Sequence, residues 1–369
     1  MKTKPLNSPF IPGLRLAESF YNEFVGPIIS SQCPNLKYTA ALVGSGSEVL
    51  EFDTEMSMDH HWGPRVMLFL SPKDYKKHKF ECHEVLAEKL PAVFRGIATN
   101  FTEPDPNDGT QHLLPVDSGP INHRVEFFTF KGYFKNYFNI DIDKELQPAD
   151  WLTLPHQKLR SIVAGAVFHD ELGWGSIRKR FTWYPHDIWL YLLASGWSRI
   201  GEEEHLMGRA GHAGDNLGSS LIAARLVRDI MRLAFLMERV YPPYAKWLGS
   251  AFGRLECASK LEPLLIAAVE AANWQERELG LCAAYSVVAE MHNSLGLTKP
   301  LPVIPSVFWC RPFKVIHGET FAKELKACIK DPVVKDIASK RLIGNIDLFS
   351  DNVDLLEDSS RRLSLLELY

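Results

Sequence analysis

The chain has 369 residues, 46% hydrophobic and 23% charged, with a net charge of −4. That balance can bury a sizeable core, and the length exceeds the roughly 250 to 300 residues at which single cores stop growing, so two domains are expected. The near-neutral charge gives no global basic field and leaves no strong signal for nucleic acid as a partner.

The opening MKTKPLNSPFIPGL lacks the continuous apolar segment of a secretory signal. No later run reaches the roughly 20 apolar residues of a membrane span, so a cytoplasmic protein without a membrane partner is expected. The runs KYTAALV (37–43), RVMLFLS (65–71) and HRVEFFTF (123–130) read as buried strands, bounded by Gly, Pro and Ser or rich in β-branched and aromatic residues. Phe80, Val85, Leu86 and Leu90 recur at helical spacing between the second and third, so a helix crosses over there. TEPDPNDGTQ (102–111) reads as a surface loop.

Beyond about residue 150 the pattern becomes helical, in DIWLYLLASGW, NLGSSLIAARLVRDIMRLAFLMERV and LEPLLIAAVEAANWQERELGLCAAYSVVAEMHNSL. The middle stretch is apolar on nearly every side, including Leu217 and Leu221, and is expected at the centre of a bundle. Asp215 stands where its N-cap would be. The six cysteines, at 33, 82, 257, 282, 310 and 328, form no C-x-x-C pair and are expected as buried reduced thiols.

The segment 40–70, AALVGSGSEVLEFDTEMSMDHHWGPRVMLFL, concentrates the chemistry. A strand entering Gly-Ser-Gly-Ser exposes backbone N–H groups to which a phosphate can approach, although an ordinary glycine turn has the same composition. Asp59 and His61 share a face if the chain there is extended. Asp53-Thr54-Glu55 offers a second Asp-x-acid pair, and all of these acids are also compatible with a solvated loop. Glu126, flanked by apolar residues, needs a cation or partner if it points inward.

The Gly-Ser turn, a spacer, Asp-x-acid and a later acid resemble the nucleotidyltransferase superfamily that includes the aminoglycoside nucleotidyltransferases and polymerase beta. GSGSEVLEFDTEMSMDHHWGPR, YPHDIWLYLLASGW, GRAGHAGDNLGSSLIAARLVRDIMRLAFLMER and YPPYAKWLGSAF look like an uncharacterised bacterial and fungal family, known only as a domain of unknown function and placed in that superfamily, over most of residues 10 to 255. The resemblance implies an α+β fold: a nucleotidyltransferase-like mixed sheet with helices over 1–150, then an all-helical bundle over 151–369, with the site in the cleft between them. It implies Asp59 and Glu126 as catalytic acids and Asp59, His61 and Glu126 as ligands of a divalent metal, Mg or Mn, with Asp53 as a supporting ligand. It implies Gly46 and Ser47 as the phosphate loop, with Gly44, Ser45 and Arg65 beside it. The reaction would move a nucleoside monophosphate from a nucleoside triphosphate to an unidentified acceptor. His61 stands where the superfamily has a carboxylate, and imidazole suits Mn²⁺ better than Mg²⁺. The alternative is a degenerate fold that binds nucleotide or a protein partner without turnover.

Arg225, Arg228 and Arg232 form a cationic stripe on the 216–237 segment, either paired with acids or clamping a triphosphate, with Lys246 as a further nucleotide-binding candidate. Glu203 and Glu204 read as solvated acids or, by analogy, as the base facing the acceptor. No zinc-ligand spacing is present.

Overall fold

The structure, a computed structural model, describes residues 10–369; the first nine residues of the expected 1–150 domain lie outside it. It divides into two compact units. One runs to Glu145 and takes in Lys158–Thr182, and the other comprises Leu146–Gln157 and Trp183–Tyr369. The division differs from a single boundary at 150 because residues 158–182 carry an edge strand of the first unit's sheet.

That sheet has strands β1 (Tyr38–Leu42), β2 (Arg65–Leu70), β3 (Arg124–Phe128) and β4 (Ala166–Asp170), in the order β3-β2-β1-β4. β1 runs antiparallel to β2 and β4, and β2 runs parallel to β3. A parallel pair needs a crossover, which the helix Pro72–Lys89 supplies. Ser71 caps it by accepting from the Asp74 N–H at 3.1 Å, and Pro72 fits its first turn. The first three strands and this helix follow the sequence pattern. β4 does not, because AVFHD is half-exposed and ends in polar residues.

β2 is buried along its whole length, so its unbroken RVMLFL reflects cover on both faces of the sheet. On one face Val66, Leu68 and Leu70 pack with Leu16, Phe20, Val25 and Leu86. On the other, Phe69 meets Tyr133 of the helix Phe130–Phe138 with ring centres 5.4 Å apart, and Trp174 of the helix Trp174–Phe181 at 4.9 Å.

The second unit is mainly helical, built on His186–His212, Asn216–Met237, Ala258–Glu270, Trp274–Ser294 and Gly318–Cys328. The stretch that reads as one helical run over 261–295 breaks before Asn273, whose side chain accepts from the Glu276 N–H at 3.0 Å and starts a new helix. The central place belongs to the 186–212 helix, which buries Trp189, Tyr191, Leu193, Trp197 and Ile200. The 216–237 helix packs against it, but Leu217 and Leu221, expected in the core, are 72% and 60% exposed. Asp215 caps that helix as expected, accepting from the Gly218 N–H at 2.8 Å. No described helix is long and apolar enough to cross a membrane.

All six cysteines are free thiols, yet only Cys82 and Cys257 are buried and Cys310 is exposed. The structure corrects the expectation of uniform burial. Cys33 and Cys82 lie with their sulfurs 3.4 Å apart.

Candidate functional site

In the sheet unit, β1 ends at Leu42 and the chain turns through Gly44 and Gly46 at φ 83° and 145°. A side chain at Gly44 would meet the Tyr133 hydroxyl, and one at Gly46 would meet Glu48 and Arg65. The Gly44 N–H donates to the Ser161 carbonyl at 3.0 Å. The N–H groups of Ser45, Gly46 and Ser47 donate to nothing among the described residues, which leaves three donors in one loop.

Arg65 opens β2 and pairs with Glu48, both side chains being almost fully buried. It also donates from Nη2 to the Ser45 carbonyl at 3.1 Å, and so fixes the loop's shape. Register places Arg124 of β3 directly beside Arg65, and Glu126 beside Met67. Arg124 and Glu126, two positions apart on one strand, form an ion pair at 3.6 Å. The Glu126 carboxylate, 41% exposed, therefore has the cationic partner its apolar flanks require.

The Asp59–His61 segment is not extended. Residues 55–59 form a single 3₁₀ turn, in which Thr54 and Ser57 cap one another, and His61 has φ 53°. Asp59 and His61 consequently point to different partners. The Asp59 carboxylate, 63% exposed, accepts from the His60 N–H at 3.0 Å and lies 2.9 Å from the His60 ring. His61 Nδ1 faces the Arg124 guanidinium at 3.0 Å, where it acts as the acceptor. Burial, then the charges of Arg124 and Arg65, lower the His61 pKa to about 4, so the ring is neutral near pH 7. Asp53 accepts from the Gly13 N–H at 2.7 Å and the Trp62 Nε1 at 3.1 Å, a bracing role for the loop.

These four side chains thus do not fit a divalent ion as they stand. Among the described residues no group of three or more His, Cys, Asp and Glu is placed to hold one. The site instead has a surplus of donors. Arg65 Nε, Arg124 Nε and the Tyr133 hydroxyl are buried without an acceptor. Burial raises the Tyr133 pKa well above its ordinary value, with Glu126 adding to the shift and Arg65 opposing it, so the hydroxyl keeps its proton. Arg124, Glu48 and Tyr133 were not singled out from the sequence. The first two were within reach of it: Arg124 shares its strand face with Glu126, and Glu48 follows the loop directly.

The remaining candidates lie in the helical unit. Arg228 and Arg232 both donate to Asp351, Arg232 at 3.0 Å, and Arg225 pairs with Glu203. Lys246 lies over the Trp247 ring, 4.9 Å from its centre. Glu203 and Glu204 are buried, not solvated. Glu204 accepts from the N–H groups of Ile316, His317 and Gly318 at 2.6, 3.2 and 3.0 Å and so holds the start of the 318–328 helix.

Residues 151–248 match a family described as a domain of unknown function (DUF4037). The matched region includes Arg228, Arg232 and Lys246 and stops short of the Gly44–Ser47 loop, Asp59 and Glu126. No curated protein and no solved structure matches the chain.

Proposed function

We propose that the sheet unit binds the phosphate chain of a nucleoside triphosphate at the Gly44–Ser47 loop, in a nucleotidyltransferase-like fold where guanidinium groups take the place of metal ions and no turnover follows. The observation that carries this reading is the donor surplus: three free loop N–H groups and the unpartnered Nε atoms of Arg65 and Arg124 lie in one part of the fold. Guanidinium forks and backbone N–H groups both suit phosphate oxygens. The nucleoside part of the ligand, the superfamily link and a cytoplasmic setting rest on the sequence resemblance and composition.

The second reading is metal-dependent transfer to an unidentified acceptor, with Asp59 and Glu126 as acids and His61 and Asp53 completing the ligand set for Mg or Mn. The exposure of the Glu126 and Asp59 carboxylates favours it, since solvent ions reach both. Calorimetric titration with each nucleoside triphosphate, with and without Mn²⁺, and a separate assay of pyrophosphate release distinguish the two. Metal-independent binding without release, in a component that Gly46→Ala removes, supports the first, and Mn²⁺-dependent binding with release supports the second. No binding at millimolar nucleotide would sink both.

A further inference from the structure

The helical unit contains a cavity of about 980 Å³, at the upper end of the roughly 300 to 1,000 Å³ usual for small-molecule sites. Seven of its lining side chains are Arg or Lys and three are Asp or Glu, in a chain whose overall charge is negative. Six of these cations come from three separate elements: Arg225 and Arg228 from the 216–237 helix, Lys323 and Lys326 from the 318–328 helix, and Lys340 and Arg341 from the segment after the helix Pro332–Ser339. A merely solvated basic helix face would not gather charge from three directions into one concavity.

Their partners divide them into two groups. Buried Glu203 neutralises Arg225, and Lys340 donates to the Tyr369 carbonyl. The side chains of Lys323, Lys326 and Arg341 make no hydrogen bond or ion pair among the described residues, although Lys326 is half-buried. Asp351, 61% exposed, holds Arg228 and Arg232 together. Burial alone would raise its pKa, but the two arginine charges outweigh it and hold the carboxyl below its ordinary range. A single carboxylate at the cavity wall thus sits on two guanidinium groups, of which Arg228 also lines the cavity, as one anionic group of a ligand would.

We propose that this cavity binds a small polyanion of the phosphate class, which displaces Asp351 from Arg228 and adds contacts to Lys323, Lys326 and Arg341. A multiply charged phosphate gains by the exchange because it carries more charge and more acceptor oxygens than one carboxylate. The cavity is lined by residues of the helical unit alone and the glycine loop belongs to the sheet unit, so the proposal does not depend on that reading.

The test is calorimetric titration of the full-length protein with inorganic triphosphate and with ATP. Equal affinity would assign free polyphosphate, and tighter ATP binding would assign a nucleotide. Lys326→Met and Arg341→Met should each weaken binding about tenfold, the ratio one charge-assisted contact is worth. Asp351→Asn should tighten it severalfold by removing the internal competitor. Asp354→Asn, an exposed acid outside the cavity, should change nothing. Gly46→Ala, which perturbs the loop, should leave this affinity intact. Absent binding, indifference to both cation variants, unchanged or weaker binding in Asp351→Asn, or equal tightening in Asp354→Asn would overturn the proposal.

Discussion

Glu204 offers a direct test of how the helical unit holds a buried acid. Its carboxylate is 6% exposed and accepts three backbone N–H groups, yet its pKa is pushed up to about 7, because burial outweighs those bonds and Glu319 adds to the shift. Between the ordinary glutamate range and pH 7 the folded protein therefore keeps a proton that the unfolded chain has lost. Stability from this group is present at low pH and falls as pH rises through that window, flattening above it. Glu204→Gln removes the titration. Its amide nitrogen cannot accept from the Gly318 N–H, so the variant carries a pH-independent cost of about 1–3 kcal/mol. The decisive quantity is thus the pH dependence of the difference. Relative to Glu204→Gln, the wild type should lose about 2–3 kcal/mol between about pH 5 and about pH 8. Urea denaturation at each pH measures this, with amide exchange of Ile316, His317 and Gly318 locating the effect. A difference that stays flat, or that favours the wild type as pH rises, would show that the three donors keep the carboxyl ionised and would refute the reasoning.

Two further outcomes bear on the glycine loop. Gly46→Ala places a Cβ 2.6 Å from Glu48 Oε2 and 2.8 Å from Arg65 Nη2 at φ 145°; it should cost about 2–4 kcal/mol by forcing apart a buried ion pair, and abolish binding of triphosphate at the loop, as thermal denaturation and titration would report. His61→Asp exchanges a neutral ring beside Arg124 for a carboxylate, so it should preserve the fold and raise affinity for Mg²⁺ relative to Mn²⁺. An unchanged metal preference on titration would count against the second reading of the site.

The sequence by itself determined the parts of this protein that depend on local pattern. The apolar runs marked β1 and β2, because strands covered on both faces need no polar alternation, and β-branched and aromatic residues marked β3. Ser71 with Pro72, and Asp215, marked helix starts because capping is a short-range bond between neighbours. The glycine turn was equally legible, as glycine reaches positive φ at no steric cost and Gly44 and Gly46 take φ 83° and 145°. Tertiary structure alone decided which polar groups meet. It turned Asp59 toward His60 and His61 toward Arg124, since a capped 3₁₀ turn replaced the extended segment on which their shared face depended. It recruited AVFHD as an edge strand, because pairing with β1 supplies bonds that the segment's own composition does not advertise. It also buried Glu204 by bringing the Ile316–Gly318 backbone to it, more than a hundred residues along the chain. Spacing in sequence encodes faces of helices and strands, whereas the pairing of charges depends on the packing that brings distant elements within hydrogen-bonding distance.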